Sequence, residues 1–160
     1  MKKMRRFKQQ LSQEKNIEIL KRNTSGVLSL LDDEGYTYAL PISYVYHNNH
    51  LYFHCAKTGH KIEAIQYHNK VSFCVIDKDQ IVSDEYTTYF RSVIAFGTIS
   101  IIEDHQTKKE ALKYLIEKYC INDTKNYLEN LDNHITGLHM LDLNIDKISG
   151  KEAIELVKEK

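Results

Sequence analysis

The chain has 160 residues, of which 42% are hydrophobic and 28% charged, a balance that excludes a disordered segment and leaves enough length for a core without staples. Twenty-two Lys and Arg balance twenty-two Asp and Glu, so no global field draws the protein to nucleic acid or to an anionic membrane. No apolar run approaches the roughly 20 residues of a membrane span, and the basic start MKKMRRFK lacks the apolar centre of a signal peptide. A cytoplasmic protein with no membrane and no nucleic-acid partner is expected. Its three cysteines are widely spaced, form no CxxC pair and are expected to stay reduced. Eight scattered histidines show no metal-ligand spacing, so no metal is expected.

In chain order, residues 1–10 read as a basic, solvated arm. Ser12 to Arg22 carries Ile17, Ile19 and Leu20, with Glu14 near its start and Lys21-Arg22 at its end, which suits a short helix and its dipole. Gly26 to Leu31 and Tyr36 to Tyr46 flank the turn residues Asp32-Asp33-Glu34-Gly35 and predict a hairpin. Asn48-Asn49 then separates Tyr46 from Leu51, so a third strand is expected to fold directly back on the second.

The stretch LYFHCAKTGHK, Leu51 to Lys61, begins as a strand, breaks into a loop and turns helical. Lys61 to Tyr67, with Ile62 and Ile65 on one face, predicts a short helix. Val71 to Asp77 reads as a fourth strand. Thr88 to Glu103 is the longest β-rich run, and Gly97 inside it predicts a bulge or bend. Ala111, Leu112, Leu115 and Ile116 mark a helix over Lys108 to Tyr119. Leu138 to Gly150 alternates as a last strand with one solvated face. A helix or tail closes the chain over 150–160. Six hairpin-linked strands with short helices predict a mainly β, α+β architecture: one domain over 1–160, built as an antiparallel barrel.

Two features ask for more than folding. Pro41, the single proline, sits inside a predicted strand. It therefore lies at a sheet edge, at a bulge, or against something other than a partner strand, such as a planar polar ligand. At the start of the predicted short helix, unpaired backbone amides and the helix dipole favour an anion, and Lys61 adds a charge there. The corner lacks the spacing of a Walker loop, so a bound phosphate and a plain exposed lysine both remain open.

These residues reach a family. YALPISYVYHNNHLYFHCAKTGHKIEAIQYHNKVSFCV, continuing through YTTYFRSVIAFGTISII, closely resembles the nitroimidazole-resistance branch of the pyridoxamine 5'-phosphate oxidase-like flavoproteins. The likeness runs from about Arg5 to about Gly150. It implies an FMN-binding, six-stranded antiparallel split β-barrel with flanking short helices, and a homodimer with FMN at its interface. It further implies that Leu40, Pro41, Ile42 and Ser43 border the isoalloxazine ring and that His54, Cys55 and Ala56 lie along the flavin. Lys61 would meet the phosphate, and Arg91, Ser92 and Val93 would approach from a neighbouring strand or the partner subunit. His54 is the candidate catalytic residue, as a proton donor to a small-molecule substrate, with an ordinary half-buried histidine as the plain alternative.

The resemblance implies an FMN-dependent oxidoreductase acting on nitroimidazoles or other nitroaromatics. NAD(P)H would bind only transiently, since no dinucleotide fingerprint is present. A non-catalytic flavin- or haem-binding protein is the alternative. Tyr86 and Tyr89 fit equally as pocket walls or as barrel packing. Cys55 stands where relatives often carry glycine or serine. The end KISGKEAIELVKEK lacks the arginine and histidine motif of the true pyridoxamine phosphate oxidases, so vitamin B6 oxidation is not expected.

Overall fold

The computed structural model describes residues 3–122 and 124–158. Helix α1, Gln13–Arg22, starts where the Ser12 hydroxyl accepts the Lys15 N–H at 3.2 Å, which satisfies one orphan donor of the first turn. Seven strands follow: β1 Ser25–Leu31, β2 Thr37–Ser43, β3 Val45–His47, β4 His50–Cys55, β5 Lys70–Val82, β6 Thr87–Ile101 and β7 His139–Glu152. All pair antiparallel in the order β2-β1-β5-β6-β7-β4-β3. Helices α2 (His60–Tyr67), α3 (His105–Tyr119), α4 (Thr124–Glu129), α5 (Leu131–Ile135) and α6 (Ile154–Lys158) flank the sheet.

The order carries its own geometry. β2 and β3 are the two ends of the sheet, yet only Tyr44 separates them along the chain. The sheet therefore curls until its edges meet, but no ladder joins them among the described residues, and the barrel stays open. Inside lies a core that includes Leu28, Phe53, Phe73, Val75, Val93, Ala95 and Leu141. A second apolar cluster lies outside β3 and β4, where Val45 and Met140 meet Ala111, Leu112, Leu115 and Ile116 of α3 and Leu131 and Ile135 of α5.

Several expectations change. The predicted second strand, Tyr36 to Tyr46, is two strands divided at Tyr44, which raises the count from six to seven. The fold-back across Asn48-Asn49 lays β4 against β3 and not against β2, which is paired only with β1, while β7 takes the other side of β4. Pro41 sits in that edge strand, opposite Val27 and with no register shift, so the edge explains it and a bulge does not. The arm is not wholly solvated: Gln9 is buried and Gln10 bridges to Lys151, and just beyond the arm Leu11 N–H donates to the Gly150 carbonyl at 3.0 Å. The fourth strand runs on to Val82. At Gly97 the β6–β7 register shifts as expected.

Candidate functional site

The opening between β2 and β4 follows from register. β3 and β4 pair Val45 with Tyr52, Tyr46 with Leu51 and His47 with His50. Carried back past Val45, the same register would set Tyr44 opposite Phe53, Ser43 opposite His54, Ile42 opposite Cys55 and Pro41 opposite Ala56. The ladder instead ends at Val45, and among the described residues no strand pairs with the facing sides of β2 and β4 along this stretch.

Tyr44 explains the break. Its ring is fully buried, meets Phe73 edge-on at 4.8 Å, and its hydroxyl donates to the Leu20 carbonyl at 2.8 Å. Its N–H donates to the Tyr119 hydroxyl at 3.2 Å, and its carbonyl accepts from Lys118 Nζ at 3.1 Å. The backbone of Tyr44 is thus taken up by the end of α3 and is unavailable to β4.

At one end of the opening, β4 finishes at Cys55 and Ala56–Gly59 leads into α2. Gly59 caps α2 with φ 115°, a conformation other residues rarely adopt, and no side chain caps the helix. His60 stacks on Tyr38 of β2 at 4.2 Å, and its Nε2 lies 3.2 Å from Asp32 Oδ2. These contacts draw the start of α2 against β2. Lys61 is half-buried. Burial pushes the buried Cys55 thiol up, and the nearby Lys61 charge offsets only part of that, so the thiol is a poor nucleophile.

Outside the barrel, an apolar cavity of about 360 Å³ lies between the opening and α3–α5. Ser43 and His54 line it from the two facing edges, Tyr119 and His134 add polar groups, and Leu112, Leu115 and Ile116 form its greasy wall. A larger groove of about 580 Å³, lined by Ser29, Lys70 and Asp146 among others, is more open and holds none of the sequence-predicted site residues. No cluster of three metal-ligating side chains occurs among the described residues, and no helix there is long and apolar enough to cross a membrane.

Of the predicted residues, Leu40 and Ile42 are half-buried against the core while Pro41 and Ser43 face outward. His54 is exposed, Cys55 points inward, and Ala56 starts the loop. Arg91, Ser92 and Val93 lie elsewhere. Cys55 pairs with His139 at one end of β7, and Arg91 pairs with Glu152 at the other, a contour of about 40 Å along a strand. Within one chain the neighbouring-strand route is therefore closed.

Arg91 is also engaged: its Nε donates to Glu152 at 2.9 Å and its other end lies 3.4 Å from Asp77. Val93 is fully buried. Tyr86 and Tyr89 stand near the tip of the β5–β6 hairpin, with Tyr86 almost fully exposed, and neither lines the cavity. The residues that sequence reasoning missed are Lys118, Tyr119 and His134, because a helix end and a short helix carry no motif.

The sequence matches the pyridoxamine 5'-phosphate oxidase family over residues 12–152. The chain belongs to that family. No curated protein sequence matches it. Among solved structures, this family member resembles a candidate 5-nitroimidazole antibiotic resistance protein from Bacteroides thetaiotaomicron, at 24% identity and TM-score 0.77 over 89% of this chain and 86% of that one. A FAD-binding protein from Mesorhizobium loti is 23% identical, TM-score 0.66, over 90% and 96%. A FAD- and heme-binding protein from Mycobacterium smegmatis is 20% identical, TM-score 0.66, over 91% and 73%. At these identities the likeness establishes a shared fold.

Proposed function

We propose that the protein is a cytoplasmic FMN-binding flavoprotein of the nitroimidazole-resistance branch, an oxidoreductase that reduces small molecules such as nitroimidazoles or other nitroaromatics. The observation that carries this reading is the opening itself: two strand edges with no ladder between them among the described residues face each other and lead to the lysine-bearing start of α2. Family membership and the descriptions of the similar structures support a flavin. A corner with Lys61 at the helix start, Lys57 in the loop before it and no dinucleotide fingerprint suits a single phosphate, hence FMN rather than FAD.

In this reading, Leu40, Pro41, Ile42 and Ser43 on one edge and His54, Cys55 and Ala56 on the other offer N–H and C=O groups to the polar rim of the ring system. Lys61 and the free amides of α2 meet the phosphate. The exposed His54 imidazole donates a proton to the substrate. FMN, once bound and reduced by a transient NAD(P)H, supplies the electrons. In this reading a homodimer completes the site, with the Arg91–Val93 segment approaching from a partner copy and Val93, buried in its own barrel core, anchoring that segment. Arg91 holds that segment in shape through Glu152 and Asp77. Vitamin B6 oxidation does not follow from family membership, since one fold hosts many activities.

The test is the visible absorbance of the purified protein and of the ligand released on denaturation, alongside Lys61→Ala. A yellow protein that releases FMN and is paler in the variant supports the reading. A colourless protein that fails to take up added FMN overturns it. If flavin is present but NAD(P)H fails to reduce it, the protein holds its flavin without turnover.

A further inference from the structure

The cavity beneath α3–α5 is walled differently from the corner at α2. Among the described residues that line it there is no aspartate, glutamate, lysine or arginine. Its polar groups are the imidazoles of His54 and His134, the phenols of Tyr119 and Tyr127, the Ser43 hydroxyl and the Cys120 thiol, set in a wall of leucine and isoleucine. Its volume of about 360 Å³ lies at the small end of the range of about 300–1,000 Å³ seen for small-molecule sites. A carboxylate or phosphate moved into such a wall would lose its hydration without gaining a countercharge. An uncharged ring would lose little, and its hydrogen-bonding substituent could reach His54, Tyr127 or His134.

From this contrast we infer that the cavity is a binding site for an uncharged, single-ring aromatic molecule, selected by the α3–α5 wall and held beside His54. The site is separate from the phosphate corner, so anionic aromatic compounds are excluded from it. These polar groups come from both strand edges, from the end of α3 and from α4 and α5, and the site thus forms only when these helices cover the opening. Its use as the seat of an electron acceptor rests on the flavin reading above; the binding itself does not.

The experiment is calorimetric titration of the purified protein, with whatever cofactor it retains, using nitrobenzene and 4-nitrobenzoate as the neutral and anionic probes. Nitrobenzene is expected to bind at least about tenfold more tightly, the discrimination that about 1.4 kcal/mol supplies. Leu112→Phe and Ile116→Phe, which fill the cavity, are each expected to weaken nitrobenzene about tenfold while leaving retained flavin unchanged. In the wild-type protein, nitrobenzene is expected to shift the ring protons of His54 and His134, which needs no variant to fold. Equal affinity for the two probes, unmoved imidazole signals, or parallel loss of flavin and nitrobenzene in folded variants would overturn the inference. Selective nitrobenzene binding by a protein that takes up no flavin would uphold the cavity and overturn the flavin reading alone.

Discussion

The Tyr119 hydroxyl lies 2.7 Å from the Tyr44 carbonyl oxygen and 3.2 Å from the Tyr44 nitrogen, so one side chain at the end of α3 occupies both backbone groups of the residue where the barrel opens. The Thr24 carbonyl also faces this hydroxyl, and its single proton is shared between the two acceptors. Tyr119→Phe keeps the ring and removes the oxygen. The Tyr44 N–H then loses its best-placed partner, since its other acceptor, the Thr24 carbonyl, is 3.4 Å away. A loss of about 0.5–1.5 kcal/mol is expected, the usual net worth of one hydrogen bond, read as a lowered urea midpoint. A midpoint that does not move would show that the seam is held by packing alone.

Lys118 sits beside this contact and titrates in an unusual place. Burial lowers its ammonium from the ordinary 10.5 to about 8. Its Nζ donates to the Asn23 carbonyl at 2.5 Å and lies 4.5 Å from the centre of the Tyr44 ring. Below about pH 8 both folded and unfolded chains carry the charge, and the folded state bears its desolvation in full. Between about 8 and 10.5 the folded chain releases the proton first, the unfolded chain binds more protons, and stability rises with pH. The neighbouring Tyr44 and Tyr119 phenols are held above their ordinary value by burial and keep their protons through most of this window. The stability of the wild type minus that of Lys118→Met is therefore expected to rise from about pH 8 to 10. A flat difference in urea titrations would mean that the amine is solvated.

How far the sequence reached is clearest at Tyr44. The alternation of YALPISYVYH continues through it unbroken, so pattern alone extends one strand where the structure has two at opposite ends of the sheet. The break depends on Tyr119, 75 residues away, and nothing local reports such a contact. The glycine step at Gly97 was legible because it is a local steric requirement with a residue type attached. That the strand carrying Pro41 lies beside the strand carrying His54 was anticipated, through a direct fold-back, for an incomplete reason: the tight connection joins β4 to β3, and only the curl of the whole sheet brings β2 alongside. Helices α4 and α5 were missed since each is under seven residues long and too short for a period to show.

Gly97 lies where β6 and β7 shift register, and a methyl group added there would overlap the backbone carbonyl oxygen of Asn144. The end of the Leu143 side chain could turn away, but the Asn144 carbonyl is backbone, so relief requires moving a strand. Gly97→Ala is expected to destabilise the fold by about 1–3 kcal/mol, the range for overpacking a core. The check is a denaturant titration with the slope compared to that of the wild type. An unchanged midpoint would show that the two strands part without resistance at this step.

Asp77 is the extra residue at the β5–β6 register shift between Ile76 and Lys78, and the shift aims its carboxylate into a network. Arg22 meets it with two nitrogens at 2.8 and 2.5 Å, Asn23 at 2.9 Å, and Arg91 bridges it to the buried Glu152. Burial opposes ionisation of Asp77, but the hydrogen bonds from Arg22 and Asn23, with the charge of Arg22, outweigh it and hold the carboxyl below its ordinary value. A depressed folded value means that this stabilisation is complete above the unfolded value of about 3.9 and is lost as pH falls below it. Wild-type stability is therefore expected to fall more steeply than that of Asp77→Asn from about pH 5 downward, in thermal melts of both proteins. Arg91→Met, which leaves Glu152 without one partner and buried, is expected to cost about 3–5 kcal/mol at neutral pH. Should Arg91→Met instead stay as stable as the wild type and lose only its flavin, Arg91 would be a cofactor contact rather than the brace of its segment.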